Sequence, residues 1–308
     1  MVGVATARSA MSDRVRSLFE VSRFPQEQYT DPPGDPGLFG QDSVAWRVHA
    51  DVAMFPGGIS ALMLQALHPL AMAGVAEHSS YRDAPLERLS RTASFVGATT
   101  YGSTEVAESV IRIVRRLHHR VRGVAPDGRP YAADDPALLT WVHVAEMVSF
   151  QRANQRYGVP PVWRPEELDR YFAETAVVAE RLGARYVPQS RDEVRDYLRS
   201  VRGSLVAGDQ ARDTMRFLRR PIGDDPLVRT ASHLLVQAGF DLLPAWARSL
   251  YGAWRLPGLD AVLVRPATAA LLEGLRLVLG PSPVVAEARA RAGVAVGVTA
   301  GTQVPRPS

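Results

Sequence analysis

The stretch DPALLTWVHVAEMVSF, Asp135 to Phe150, decides the fold. Its apolar residues do not alternate with polar ones, and the run is too long for an ordinary strand. At helical spacing they cover almost the whole circumference at first, which predicts a central, enclosed helix. Asp135 followed by Pro136 is an N-cap with proline at the first helical position, so the helix is predicted over 136–157.

The same punctuation recurs on either side. Ser103 and Thr104 with Glu105 predict a helix to Arg122, closed by Gly123. Pro165 with Glu166 and Glu167 starts another, and Gly183 is its expected stop. Ser190 with Glu193 reads as a capping box that opens a helix to about Arg202. Further helices are predicted over 59–75 and 86–100. No segment shows sustained period-two alternation or a two-residue hairpin turn between apolar runs. The expectation is an all-α protein, a single helical domain of roughly ten helices over residues 43–294. A lead-in, 1–42, holds the irregular Pro/Gly-rich PQEQYTDPPGDPGLFG, and the tail 295–308 is expected to be disordered.

With 308 residues, 46% of them hydrophobic, the chain can bury a sizeable core. Its formal charge is +4 and its pI about 9.7. All the strong bases are arginine, interspersed with acids on the same helices, which reads as solvated faces and not as a nucleic-acid surface. There is no cysteine, which excludes disulfides, thiolate-held zinc, iron–sulfur clusters and a cysteine nucleophile. The first residues lack an apolar h-region, so a cytoplasmic location is expected. The most apolar stretch, Ile59 to Ala76, contains His68, Pro69 and Gly74 and reads as a core helix, so no membrane span is expected. Dinucleotide, P-loop, zincin and nucleophile-elbow motifs are missing, as is any Glu-x-x-His pair for a di-iron bundle. His49-Ala50-Asp51 has the spacing of a facial triad, but that triad normally sits on a strand, and this segment reads as helix.

The histidines carry most of the chemistry. The helical neighbours of His118 are Ile111, Val114 and Val121, so it should face the core. Those of His119 are Arg112, Arg115, Arg116 and Arg122, so it should face water. A buried imidazole without a partner costs about 2–7 kcal/mol, so His118 needs a hydrogen bond or a metal. His143, on the central helix, and His68, just before Pro69, also sit in apolar surroundings. Each is a core histidine or part of a metal or cofactor pocket, and the residues leave both readings open. Arg88 and Thr92 are one turn apart, and Phe95 and Thr99 continue their face, with Arg91 beside it. That pattern offers a cation and a hydroxyl to an anionic oxygen or a carboxylate.

Three runs taken together resemble a known family. They are GGISALMLQALHPLAMAGVAEHSSYRDAPLERLSRTASFVGATTYGS (57–103), VRRLHHRVRG (114–123) and LLTWVHVAEMVSF (138–150). Their HP, EHS, RT, HxxVxG and WVH elements, in this order, are similar to those of the MpaB and rubber oxygenases over about residues 44–220. The resemblance implies a globin-like helical core holding haem b, with His118 as proximal iron ligand and Arg88 and Thr92 on the distal side. It implies an oxygenase or related oxidoreductase that works with O2 on a small apolar substrate, an alkene- or prenyl-bearing one among the candidates. Arg91 stands where a rubber oxygenase has a lysine able to reach the iron. A guanidinium stays protonated and cannot do so, and is expected to anchor a haem propionate instead. His143 and His68 are expected as cofactor-pocket residues or rival ligands, and Glu77 or Glu146 as the acid–base group. Natural rubber is not the expected substrate. A haem peroxidase or dehydrogenase, or a non-catalytic haem- or lipid-binding protein, are the alternatives.

Overall fold

The structure is a computed structural model that describes residues 27–78, 85–159, 164–220, 224–252, 258 and 260–293. Its helices are α1 (Glu27–Thr30), α2 (Val44–His49), α3 (Met54–Gln65), α4 (Pro69–His78), α5 (Pro85–Tyr101) and α6 (Thr104–Arg120), then α7 (Pro136–Tyr157), α8 (Pro165–Leu182) and α9 (Arg191–Ser200). They continue as α10 (Asp209–Leu218), α11 (Pro226–Leu242), α12 (Ala245–Leu250), α13 (Arg265–Leu279) and α14 (Pro283–Gly293). The protein is predominantly α-helical and forms a single domain. The helices beyond the ten or so expected are mostly short ones such as α1, which occupies part of the segment read as irregular.

Most starts follow the sequence signals. Asp135 accepts the Ala137 N–H at 2.8 Å, and α7 begins and ends as predicted. Ser43 accepts from Trp46 N–H, and Ser190 from Glu193 N–H. Gly183 ends α8 in the left-handed region, φ 114°.

The buried helix α7 is the axis of the core. Its Trp141, Val144, Ala145, Val148 and Phe150 pack against Ala61, Met63 and Leu64 of α3 and Tyr171 and Phe172 of α8. Helix α3 is held between α7 and α11. Gly239 makes the second contact close: a Cβ there would lie 2.7 Å from the Ile59 side chain.

Two expectations are corrected. The helix predicted over 59–75 is two helices, α3 and α4, meeting at a bend of 107°. Pro69 lacks an N–H and disfavours helical geometry at His68, so the chain turns there. The carbonyls freed by the break are satisfied from outside. Gln65 accepts from the Trp141 indole at 3.2 Å, and Leu67 from Val206 N–H at 2.8 Å. No single helix among the described residues is long and apolar enough to cross a membrane, and only this bent pair has the length and composition to do so. Second, α6 stops at Arg120, and residues 122–132 form a small hairpin that the alternation test did not find. Strands β1 (Arg122–Val124) and β2 (Pro130–Ala132) pair antiparallel, Gly123 opposite Tyr131. Three residues per strand are too few to show a period.

Candidate active site

His118 lies on the last turn of α6, half-buried, with its Nδ1 buried and without a hydrogen-bond partner among the described residues. Burial lowers its pKa, against the opposing charge of Asp134, so the ring is held neutral. A neutral imidazole is the form that donates a lone pair to a metal, and an orphaned ring nitrogen leaves about 1–3 kcal/mol of desolvation uncompensated. His119 is exposed and bonded to Asp134 at 2.9 Å, as its polar neighbours predicted.

Helix α5 carries Arg88, Arg91 and Thr92. The Arg88 side chain lies outside the described residues. Arg91 is exposed and Thr92 half-buried. The face they begin turns inward toward buried Thr99, whose hydroxyl donates to the Phe95 carbonyl at 2.9 Å.

His68 sits in the bend between α3 and α4. Its Nδ1 is 3.5 Å from the Ala71 N–H, and its ring lies 6.0 Å from that of Trp141. Burial lowers its pKa, helped by Arg129 and opposed by Asp135. It is therefore partly engaged in holding the bend. Glu77 is also engaged: the Tyr131 hydroxyl donates to its carboxylate, and burial together with that bond raises the tyrosine to about 12. Gly123 lies directly beneath this contact. A Cβ there would stand 2.5 Å from the Tyr131 hydroxyl and 2.7 Å from Glu77 Oε2.

His143 and Glu146 are one turn apart on α7 and deep inside the bundle. Burial lowers His143 to about 4 and raises Glu146 to about 7. Both retain accessible surface, and neither is hydrogen-bonded to any described residue. The two are therefore not bonded to each other.

Beside them runs a chain that the sequence did not suggest. His49 Nδ1 is 2.8 Å from Thr100 Oγ1, and its Nε2 is 3.1 Å from the Tyr171 hydroxyl, which donates to Met147 Sδ at 3.3 Å. Burial, with the charge of His143, lowers His49 to about 3. Both ring nitrogens are thus occupied. Asp51 turns elsewhere, to Arg276 at 2.8 Å, so His49 and Asp51 do not form a facial triad. No group of three or more histidines or carboxylates among the described residues could hold a bare metal ion. Nothing in the local sequence marks Thr100 or Tyr171 as partners of His49, because they come from helices far apart in the chain.

Comparison with curated proteins and with solved structures gives no match. One family's sequence model does match, described as "ER-bound oxygenase mpaB/B'/Rubber oxygenase, catalytic domain", over residues 46–273. That span takes in α3 to α12, the HxxVxG segment and the whole of α7. The chain belongs to this MpaB/rubber oxygenase family of catalytic domains.

Proposed function

We propose that the chain is a haem-b-dependent oxygenase acting with O2 on a small, largely apolar substrate, with His118 as the one protein ligand to the iron. The observation that carries this reading is the state of His118: neutral, half-buried, and with a buried ring nitrogen that no described residue bonds. The donor fits the group, since haem iron needs one imidazole lone pair from the protein. Haem, when bound, supplies the binding and activation of O2.

The chain's own residues would do the rest. Arg88 and Thr92, sharing a face of α5 by their spacing, would donate charge-assisted hydrogen bonds to an oxygen as negative charge develops on it. Arg91, exposed beside them, would pair with a haem propionate. The apolar side chains around α7 would exclude water and receive an alkene- or prenyl-bearing skeleton. Glu146, unlike Glu77, has no protein partner among the described residues and sits near neutrality, so it is the better placed of the two to hold or accept a proton.

The test is the absorption spectrum of protein expressed with haem precursor, before and after dithionite. A Soret band that moves on reduction, with a b-type pyridine haemochrome, is expected. His118→Ala is expected to lose that band while His119→Ala keeps it. Full retention of haem in His118→Ala would refute the ligand assignment. Incorporation of labelled oxygen into product separates an oxygenase from a peroxidase or dehydrogenase, and tight haem binding without turnover would indicate a carrier.

A further inference from the structure

His143 and Glu146 are deep, adjacent and free of hydrogen bonds to described residues, and each keeps some accessible surface. Several other polar groups of this core are satisfied within it, among them His49, Thr100, Ser149 and Thr175, whereas Ser60 Oγ and Asn154 Oδ1 are buried without a partner among the described residues. Apolar core residues follow the pair on the same helix, Met147 and Phe150, and the Phe150 ring lies edge-on to His49 at 5.6 Å. Deep polar groups are bonded as a rule, so two side by side that no described residue bonds are placed to receive a ligand.

We infer that His143 and Glu146 together form a binding site for a single oxygen function, a hydroxyl or carbonyl, carried on an otherwise apolar substrate. A neutral imidazole offers one donor and one acceptor, and a carboxyl group adds acceptors and, when protonated, a donor. A hydroxyl both donates and accepts, and a carbonyl accepts from either residue. A pure hydrocarbon would leave both groups unpaired and so bind less well, because a site built to hydrogen-bond discriminates strongly against the analogue lacking the group. This deepens the oxygenase reading, and it rests on that reading for the occupant being the substrate.

The test compares geraniol with the matching hydrocarbon that lacks its hydroxyl, by titration calorimetry on the protein as purified, with haem content read separately from the Soret band. The wild type is expected to bind the alcohol at least ~10-fold more tightly, a difference of ~1.4 kcal/mol. Glu146→Leu is expected to lose that preference with the Soret band unchanged. Glu146→Gln, which keeps a hydrogen-bonding side chain, is expected to retain most of it and controls for misfolding. No tighter binding of the alcohol, including no binding of either probe, overturns the inference. So does a preference that survives in Glu146→Leu. A protein without a Soret band that still prefers the alcohol would refute the haem reading and leave this one standing.

Discussion

At the scale of single residues, the uncompensated groups decide what can be tested. Glu146 has no protein partner among the described residues and is raised to about 7 by burial. A carboxyl whose folded pKa lies above its ordinary 4.5 destabilises the fold increasingly as pH rises from that value to about 7. Glu146→Leu is therefore expected to stabilise the ligand-free protein by about 1 kcal/mol, roughly 2–4 °C in Tm, more at pH 8 than at pH 5. His143 has the opposite sign. Its pKa is lowered to about 4, so its cost grows as pH falls below the ordinary histidine value of 6.5. His143→Leu is expected to stabilise more at pH 5 than at pH 8. The other titratable groups near the pair are His49 and Tyr171, both bonded and both shifted away from this range, so neither masks the trend. Thermal melts of both variants across pH check this; equal melting shifts at pH 5 and 8 would refute it. Gly123 shows what the sequence conceals at this scale. Reading it as a helix stop misplaced it, since Gly123 lies within β1, and missed its role, since its place beneath Tyr131 and Glu77 depends on a tertiary contact. Gly123→Ala is expected to destabilise by about 1–3 kcal/mol, because the buried Tyr131 ring has little room to withdraw even where the Glu77 carboxylate swings away.

At the scale of elements, helix starts were legible because caps are local chemistry. Asp135, Ser103 and Ser190 each cap the helix their spacing announces. The break at His68 was misread because Ile59 to Ala76 keeps its apolar character through Pro69. The cost of turning there is met by distant groups, the Trp141 indole and Val206 N–H. The inward setting of His118 was legible from its apolar stripe, whereas the company kept by His143 was not. The same limit hides the hub at Asp241. This buried carboxylate on α11 receives Arg156 of α7 at 2.6 Å, Arg265 of α13 at 2.9 Å and Arg248 of α12 at 3.3 Å. Burial alone would raise its pKa, but the Arg265 hydrogen bond and the charges of Arg156, Arg265 and Arg248 prevail and lower it. A depressed folded pKa gives stability that is present above the ordinary carboxylate value and lost as pH falls through the folded one. Asp241→Ala is expected to cost about 3 kcal/mol at pH 7, the low end for a buried pair because the arginines are partly solvated. The difference from wild type should shrink below about pH 4, and denaturant melts at pH 7 and 3.5 would show it. A penalty as large at pH 3.5 as at pH 7 would mean the arginines are not its source.

At the scale of the whole molecule, the family domain ends at residue 273, inside α13, and begins at 46, within α2. What lies outside at the two ends is joined. Arg291 of α14 is 2% exposed and donates to the carbonyls of Tyr29 and Asp35 at 3.0 Å, Tyr101 at 2.8 Å and Gly102 at 3.1 Å. In return, the Arg291 carbonyl accepts the Gly34 N–H at 2.7 Å. The C-terminal helix thus fastens the segment before α2 onto the junction of α5 and α6, with Val285 and Ala288 packed around Tyr29, Trp46 and Tyr101. In the function proposed above that junction would matter, since α5 carries Arg88 and Thr92 and α6 carries His118. Replacing Arg291 by methionine preserves much of the volume but removes every donor. Four buried carbonyls would then lose their partner, and the expected cost is about 2–4 kcal/mol, less than four separate bonds because the ends can open to water. Arg291→Met is also expected to hasten proteolysis before residue 44 while leaving the Soret band of the folded protein in place. Loss of haem at unchanged Tm would instead mean that this outer clasp sets the spacing of α5 and α6 directly, and that the two chain ends belong to the active site's architecture.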